Sequence, residues 1–412
     1  MGQVVSEVGD HFNNIAVFSL AMTHAGSGLV VMGIMLSRAI PAVLTGPFAG
    51  VVLDRFDRKR IMIVSDLIRA VVALGFILAF KWHATTLLYV LSALLMAASP
   101  FFSSGRSAIL PSIASKDELH TANSLTQTTQ WMTLTVGAFL GGTSVMQFGF
   151  EWAFVFNAAS FLFSALCISR LHLPDGFQAA RSDADKKIPV KPWHEYAEGL
   201  RYMRASPLML GIALVAVGWA SGGGAAQVLF SLFGELVFNR GPAGIGILWG
   251  SAGVGLLIGG TFAHWLGRRI GFPAFKRTIF IVYVVHGASY VVFSQMKNFW
   301  AAIVFLALSR AAVAVSSVLN TGMLLRHVAD EYRGRVFATI ETLTWSVMML
   351  SMMGAGIASQ HWSPRSIGVV SGVLSSMTAV YWGLANWKGL LQEPAEVAVD
   401  AEEIEIHGDP VA

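Results

Sequence analysis

The sequence has few charged residues, a single cysteine and no motif of a nucleotide-hydrolysing or metal-dependent protein. Only 13% of its 412 residues are charged, about half the fraction that is usual in soluble globular domains. Cys167 alone cannot form an intrachain disulfide or a cysteine-based metal site, and the histidines do not follow metal-ligand spacing. A phosphate-binding Gly-x-x-x-x-Gly-Lys-Ser/Thr loop is also missing. We therefore expect no metal, no cofactor and no ATP hydrolysis by this chain.

Two further classes of protein are disfavoured by what is missing. The net charge of +4 is small and indicates no nucleic-acid partner. No combination of nucleophile, histidine and aspartate suggests a catalytic site, so the sequence does not predict an enzyme.

Long apolar stretches dominate the sequence instead, because 55% of the residues are hydrophobic. A helix needs roughly 20 mostly apolar residues to cross the hydrocarbon core of a membrane. Twelve such segments are predicted, at about 3–24, 28–52, 61–80, 85–104, 120–146, 150–171, 206–234, 242–267, 276–296, 299–326, 335–359 and 364–389. The fold class predicted is an all-α membrane protein of about twelve transmembrane helices.

Lysine and arginine are distributed very unevenly between alternate connections. If Met1 is cytoplasmic, 21 of the 28 basic residues lie in inside segments, 4 lie outside and 3 lie within spans. Cytoplasmic loops carry an excess of basic residues. The sequence therefore predicts a multi-pass protein of the bacterial inner (cytoplasmic) membrane with both termini cytoplasmic.

The chain divides into two similar halves. Gly50 to Lys59 after span two resembles Gly260 to Arg269 after span eight, at an offset of 210 residues. We predict pseudo-symmetric six-helix bundles at 1–171 and 206–389, joined by a linker at 172–205. The linker contains an interfacial helix from His194 to Arg204, and 390–412 is predicted to be a disordered acidic cytoplasmic tail.

Span one carries Gln3, Glu7, Asp10 and Asn14 at spacings of four, three and four, which places them on one helix face. A polar face within a membrane turns toward the bundle interior, so these residues are predicted to line a cavity. Asp10 could pair with Arg38 of span two. Asp10 would then be a proton-coupling carboxylate biased by Arg38, with Glu7 as a further candidate, or the pair would simply hold two helices together.

Other spans also carry polar residues. Asn123, Gln127 and Gln130 share one face of span five and would either bind a substrate or join helices by hydrogen bonds. Arg310 in span ten would bind an anionic group or pair across helices, and Glu341 in span eleven lies nearer the cytoplasm. Both are candidates for the cavity.

The glycine-rich segment Ser221–Ala226 is expected to interrupt span seven. Glycines permit either a local break or close helix approach. A hinge and a packing role are therefore both open for this segment.

Several motifs resemble the major facilitator superfamily over nearly the whole chain. Gly50, Asp54, Arg55, Arg58 and Lys59 are similar to its Gly-x-x-x-Asp-Arg-Gly-x-Arg-Arg loop, with Phe56 at the second glycine. Gly137, Gly141 and Gly142 of span five resemble the glycines of the antiporter signature Gly-Pro-x-x-Gly-Gly. Ala138 stands where that signature has proline. Further resemblance to the branch of enterobactin exporters and macrolide efflux pumps rests on Arg38-Ala-Ile-Pro41 and Arg106 to Pro111.

The resemblance implies a secondary active transporter that works by alternating access. The loop would be a gate latch, and the span-five glycines would let helices pack closely. The expected cargo is a small amphiphilic compound, such as a siderophore, a macrolide or another drug, exported in exchange for protons by a monomer in the lipid bilayer. The alternatives are an uptake carrier or facilitator on the same fold, and a membrane receptor that does not transport.

Overall fold

The computed structural model describes residues 2–113, 116–171 and 192–393, and in that part the chain forms thirteen helices and no strand. They are α1 (Gly2–Ala25), α2 (Gly28–Arg55), α3 (Arg58–Lys81), α4 (Thr85–Ile113), α5 (Lys116–Phe148), α6 (Phe150–Ser169), α7 (Pro192–Ala205), α8 (Pro207–Leu232), α9 (Gly241–Gly267), α10 (Phe272–Gln295), α11 (Phe299–His327), α12 (Asp330–Ala358) and α13 (Pro364–Trp387).

Ten of these helices are long and apolar enough to cross a membrane. Of the twelve long helices, only α1 and α5 fall outside that group. Both carry many polar residues, including Glu7 and Asp10 in α1 and a run of threonine and glutamine in α5. Such helices can still span a membrane when their polar faces turn toward protein.

The long helices form two bundles of six. In the first, α1 packs against α5 and α6, α3 packs against α4 and α6, and α2 packs against α4. In the second, α8 packs against α12 and α13, α10 packs against α11 and α13, and α9 packs against α11. The all-α membrane fold predicted from the sequence is confirmed.

Polar side chains in the short connections cap the first turns of several helices. The Asn298 side chain accepts hydrogen bonds from the backbone N–H groups of Trp300 and Ala301, at 2.9 and 3.1 Å, at the start of α11. Ser206 and Ser363 begin α8 and α13, each followed by a proline in the first turn. A capped first turn satisfies N–H groups that have no partner within the helix.

The helix connections define two ends of the protein. We call the end that contains the α2–α3, α9–α10 and α11–α12 connections the basic end, because it carries most of the arginine and lysine near the membrane. The end that contains the α1–α2 and α8–α9 connections is the opposite end.

At the opposite end the two bundles touch closely. Gly28 of α2 lies against Ser359, and Met32 of α2 lies against Gly356 of α12. Gly142 of α5 meets Gly246 of α9. Contacts between α5 and α9 continue toward the basic end, where Trp131 packs against Gly260.

Toward the basic end, α2 separates from the second bundle. A methyl group added at Gly46 or Gly50 would meet no atom within 4 Å. The apolar side chains of Leu44, Phe48 and Val51 are exposed around them. The bundles are therefore joined at the opposite end and parted between α2 and α12 at the basic end.

The glycine-rich segment of α8 does not break the helix, so the expected interruption at Ser221–Ala226 is wrong. Gly222 lies against the backbone carbonyl of Ser371 in α13, and Gly224 lies against that of Met348 in α12. Helical backbone can approach so closely only where no side chain intervenes. The irregular part of this span comes later, as a π-helical turn at Phe233–Val237.

Helix α7 packs on the basic end of the second bundle. Glu198 forms an ion pair with Arg335 of α12 at 3.0 Å, and the Tyr202 ring stacks on Tyr332 at 4.9 Å. Met203 is buried against α8 and its neighbours. The rest of the linker, 172–191, and the acidic tail from 394 onward lie outside the described residues.

Candidate functional site

A cavity of about 230 Å³ lies between the two bundles. The first bundle contributes four residues of α1 and two each of α2 and α5, and the second contributes one residue each from α8 and α9. The lining residues are His11, Asn14, Ile15, Phe18, Met35, Arg38, Leu134, Ala138, Gln227 and Trp249. The walls combine apolar surface with a few polar groups, which is the usual composition of a small-molecule site.

Several polar atoms of the cavity wall have no partner in the described part of the chain. They are Nη1 of Arg38, Oδ1 of Asn14 and the indole Nε1 of Trp249, and all three are shielded from solvent. The nearest polar contact of Arg38 is from Nη2 to the Met96 sulfur at 4.0 Å. Buried polar groups are normally satisfied, so these atoms are available to a bound molecule.

The expected pairing of Asp10 with Arg38 is not present in this conformation. Within the described residues no ion pair joins them, although Asp10 interacts electrostatically with Arg69 and Arg38. Each side chain is half-buried. The two opposite charges are thus held near each other without direct contact.

Glu7 is the centre of a hydrogen-bonded cluster that joins three helices. Its carboxylate accepts hydrogen bonds from Gln3 at 2.7 Å and from Thr133 of α5 at 3.0 Å. It also forms an ion pair with Arg106 of α4 at 3.5 Å. Arg106 lies beyond the span predicted at about 85–104, but α4 continues to Ile113, so this arginine is still helical and reaches Glu7.

A second buried ion pair, Asp66 with Arg69 in α3, was missed by the sequence analysis. The Arg69 guanidinium also lies over the rings of Phe102 and Phe161, at 4.6 and 4.4 Å from their centroids. The sequence contains a signal for this pair, because an acidic and a basic residue lie three positions apart within an apolar span. Such spacing places both on one helix face.

Arg310 lies in the second bundle, in the middle of α11. Its guanidinium sits over the rings of Phe230 and Tyr290, at 5.3 and 5.8 Å. Glu341 is exposed on α12 and forms no ion pair with Arg310. Nearby, the His286 ring of α10 is hydrogen-bonded to Ser309 Oγ at 2.8 Å and to Ser375 Oγ at 3.1 Å.

Asp57 and Lys59 hold the loop between α2 and α3 in place. The Asp57 side chain caps α3 by accepting hydrogen bonds from the backbone N–H groups of Lys59 and Arg60, at 2.8 and 3.2 Å. Lys59 Nζ donates to the Leu171 carbonyl at 2.8 Å. Arg55 is exposed and Arg58 is half-buried, while the side chain of Asp54 lies outside the described part.

The polar and glycine residues of α5 are only partly described. Gln130 is exposed, and its backbone carbonyl lies 3.0 Å from the Thr133 hydroxyl, whose single proton it shares with the Glu7 carboxylate. The side chains of Asn123 and Gln127 lie outside the described part. The motif glycines do form close contacts: Gly137 and Gly141 lie against His11 and Phe12 of α1, and Gly142 lies against α9.

Comparison with known proteins bears directly on this architecture. Residues 3–352 match the family model described as Major Facilitator Superfamily. The chain belongs to the major facilitator superfamily. The resemblance seen in the motifs is therefore confirmed, and the chain is a membrane transporter of this superfamily rather than an enzyme.

Relatives of this chain include proteins that are named as exporters or efflux proteins. The chain is 27% identical over 375 residues to YfiS, an uncharacterized MFS-type transporter of Bacillus subtilis, covering 87% of this chain and 85% of YfiS. It is 26% identical over 369 residues to BacE, a proposed bacilysin exporter of B. subtilis, covering 90% and 89%. Macrolide efflux protein A of Streptococcus pyogenes is 24% identical over 391 residues, covering 92% and 91%.

Solved structures of the superfamily share the fold. A bacterial homologue of the iron transporter ferroportin, crystallised in an inward-facing state, matches with a TM-score of 0.70 over 92% of this chain and 96% of that one. The two sequences are 16% identical. At this identity the match demonstrates the shared fold and nothing about the cargo.

Proposed function

We propose that this transporter exports a small amphiphilic compound, such as a siderophore, a macrolide or another drug, in exchange for protons. The observation that carries the proposal is the cavity between the two bundles, whose wall holds the unpaired Arg38 beside apolar side chains. A mixed wall of this kind suits part of an amphiphilic molecule, and because the cavity measures about 230 Å³, the bundles must part further to admit a whole macrolide or siderophore. The names of BacE and macrolide efflux protein A support export as the direction.

Alternating access follows from where the bundles meet and where they part. The cavity is closed at the opposite end by Gly142 and Gly246, and α2 is separated from the second bundle at the basic end. If the basic end is cytoplasmic, as the positive-inside rule predicts, the cavity faces the cytoplasm and is ready to load. Closure there would bring Gly50 and its neighbouring loop, including Asp54, against the second bundle.

Asp10 is the carboxylate that we assign to proton coupling. It lies one helical turn before Asn14 of the cavity wall and within the electrostatic influence of Arg38 and Arg69. Its distance to Arg38 changes if α1 or α2 tilts within the first bundle during transport, and a carboxylate binds a proton more readily when a neighbouring cation moves away. Such a change would load and release one proton per cycle. Glu7, with three partners of its own, is better suited to hold α1, α4 and α5 together.

The test uses inverted membrane vesicles from an efflux-deficient host that expresses the full chain. With an acidic interior, vesicles should accumulate at least one compound from a panel of siderophores, macrolides and other drugs, and a protonophore should abolish the accumulation. Asp10→Asn should lose accumulation against a gradient but retain downhill exchange. Glu151→Gln, which alters an exposed carboxylate at the opposite end, should behave as the unmodified protein.

Two results would change this proposal. Gradient-driven accumulation that persists in Asp10→Asn would remove Asp10 from coupling. Equilibration of the cargo without accumulation, insensitive to the protonophore, would favour the alternative of a facilitator or uptake carrier on the same fold.

A further inference from the structure

Arg310 is a buried cation without a counter-ion. Its side chain is in α11, and the residue is only 7% exposed. It forms no hydrogen bond or ion pair with any residue that the structure describes, and its Nε atom is fully enclosed. The groups that approach its guanidinium are the rings of Phe230 and Tyr290.

Two aromatic rings do not compensate for the burial of a positive charge. The attraction between a guanidinium and a ring is weak beside the cost of removing an ion from water. Charged side chains within membrane spans normally pair with another charge or line a path for an ion or substrate. Arg310 therefore requires an anion that the second bundle itself does not place beside it.

The carboxylates of the described chain do not supply that anion. In the second bundle, Glu235 lies in the π-helical turn at the opposite end and Glu341 is exposed on α12. Neither forms an ion pair with Arg310.

The first bundle pairs its own carboxylates internally. Glu7 contacts Arg106, and Asp66 contacts Arg69. Asp10 interacts electrostatically with Arg38 and Arg69 rather than with Arg310.

The surroundings of Arg310 offer further donors and few free acceptors. The Tyr290 hydroxyl and the Trp249 indole N–H are both buried without a partner in the described chain. Trp249 packs edge-on against Phe230 at 5.1 Å, and it also lines the central cavity. The nearby His286 ring is already hydrogen-bonded on both nitrogens. Phe230 therefore lies between Trp249, which lines the cavity, and Arg310, which does not line it in this conformation. A group of a molecule in the cavity reaches Arg310 when the Phe230 ring turns aside.

We propose that Arg310, together with the Tyr290 hydroxyl, binds an acidic group of the transported compound at the Trp249 side of the cavity. The cargo is then an organic anion or zwitterion that carries a carboxylate or a similar oxyanion, with an apolar part against Trp249. Compounds that carry only a positive charge are excluded, so this inference narrows the proposed cargo to its acidic and zwitterionic members and removes the basic macrolides. This inference rests on the proposed function only in taking the bound compound to be the cargo.

The experiment measures thermal unfolding of the purified full chain in detergent. Sodium phenylacetate is titrated against neutral phenylacetamide and against sodium chloride at equal ionic strength. We expect phenylacetate alone to raise the unfolding midpoint saturably. In Arg310→Gln the concentration for half of the effect should increase about ten- to a hundredfold, as for loss of a hydrogen bond to a charged group. Tyr290→Phe and Arg310→Lys should give smaller increases.

The control is Arg240→Gln. Arg240 also lies over two rings, those of Phe299 and Trp300 at 4.8 and 5.8 Å, but it is exposed and at the opposite end. It should respond to phenylacetate as the unmodified protein does. Without ligand, Arg310→Met should be at least as stable as the unmodified protein, because it removes an uncompensated charge; a structural arginine would instead leave a destabilised variant.

Several outcomes would overturn the inference. They are no effect of phenylacetate on the unmodified protein, an equal effect in Arg310→Gln, or an equal effect of sodium chloride, which would indicate a halide site. The proposed function is tested separately. Vesicle transport that is insensitive to Arg310→Gln would refute this inference alone, whereas phenylacetate binding without transport of any compound would refute the proposed function and leave the anion site.

Discussion

Lys59 Nζ donates a hydrogen bond to the backbone carbonyl of Leu171 at 2.8 Å. This contact ties the loop after α2 to the second residue after α6, 112 positions later in the chain. The loop is therefore attached to the first bundle, and it moves with that bundle when the two halves separate. The gate that we propose for this loop would then move as part of the first bundle.

We expect Lys59→Met to lower the free energy of unfolding by about 1 kcal/mol, because a hydrogen bond from a charged donor is lost. Lys81→Met is the matched control. Lys81 pairs with Glu151 at 3.6 Å with both side chains exposed, and such surface pairs contribute well under about 1 kcal/mol. Thermal midpoints of the two variants check the difference, and equal midpoints would contradict an anchoring role for Lys59.

Two glycines should respond oppositely to alanine. Gly222→Ala places a methyl group against the Ser371 carbonyl and should destabilise the protein by about 1–3 kcal/mol. Gly50→Ala meets no atom within 4 Å and should leave stability unchanged or raise it by about 0.5–1 kcal/mol, because alanine favours a helix.

Transport by Gly50→Ala should nevertheless be slower, since we propose that this face closes on the second bundle. Vesicle uptake rates normalised to the amount of folded protein provide the measurement. A Gly50→Ala variant that transports at the full rate would show that the face never packs closely.

Removing one partner of the Asp66–Arg69 pair should lower the free energy of unfolding strongly, whereas replacing both partners by apolar residues should lower it little. Their side chains are 0% and 5% exposed. Asp66→Asn leaves an uncompensated buried guanidinium and should cost about 3–5 kcal/mol. The double change of Asp66→Leu with Arg69→Met should recover most of that loss. Unfolding midpoints of the single and double variants decide the point, and a double variant as unstable as the single one would argue for a role beyond charge compensation.

Asp57 should contribute to stability as a helix cap. Asp57→Ala removes the acceptor for the N–H groups of Lys59 and Arg60 and should cost about 1 kcal/mol. Asparagine is also a good cap, so Asp57→Asn should retain most of the stability. If both variants lose stability equally, the ion pair with Arg60 rather than the cap is responsible.

Most ends of the membrane helices could be predicted from the sequence to within a few residues, because an apolar run matches the thickness of the hydrocarbon core. The errors fall mainly at the basic end. The third span was predicted to begin at 61 but begins at Arg58, and the fourth was predicted to end near 104 but continues to Ile113. Hydropathy detects only the part of a helix that lies in lipid. Beyond that part the helix continues through polar residues, and in α3 it begins at the cap formed by Asp57.

The partners of charged residues could be predicted less well. The polar face of α1 was visible from spacing alone, yet Glu7 pairs with Arg106 and Asp10 does not pair with Arg38 in this conformation. A helical pattern gives the face on which a side chain lies, but not the tilt or depth of the neighbouring helix. The irregular turn at Phe233–Val237 had no sequence signal that distinguished it from the glycine-rich segment before it.

The contact of Gly142 with Gly246 has a mechanical consequence. Where two helices meet through backbone atoms alone, tilting one against the other changes no side-chain rotamer and disturbs no interlocked packing. The glycine pair can then serve as a pivot point, whereas further along the same two helices the Trp131 ring packs on Gly260 and would have to shift. Bulkier residues at either position would stiffen that joint even if the protein folded normally.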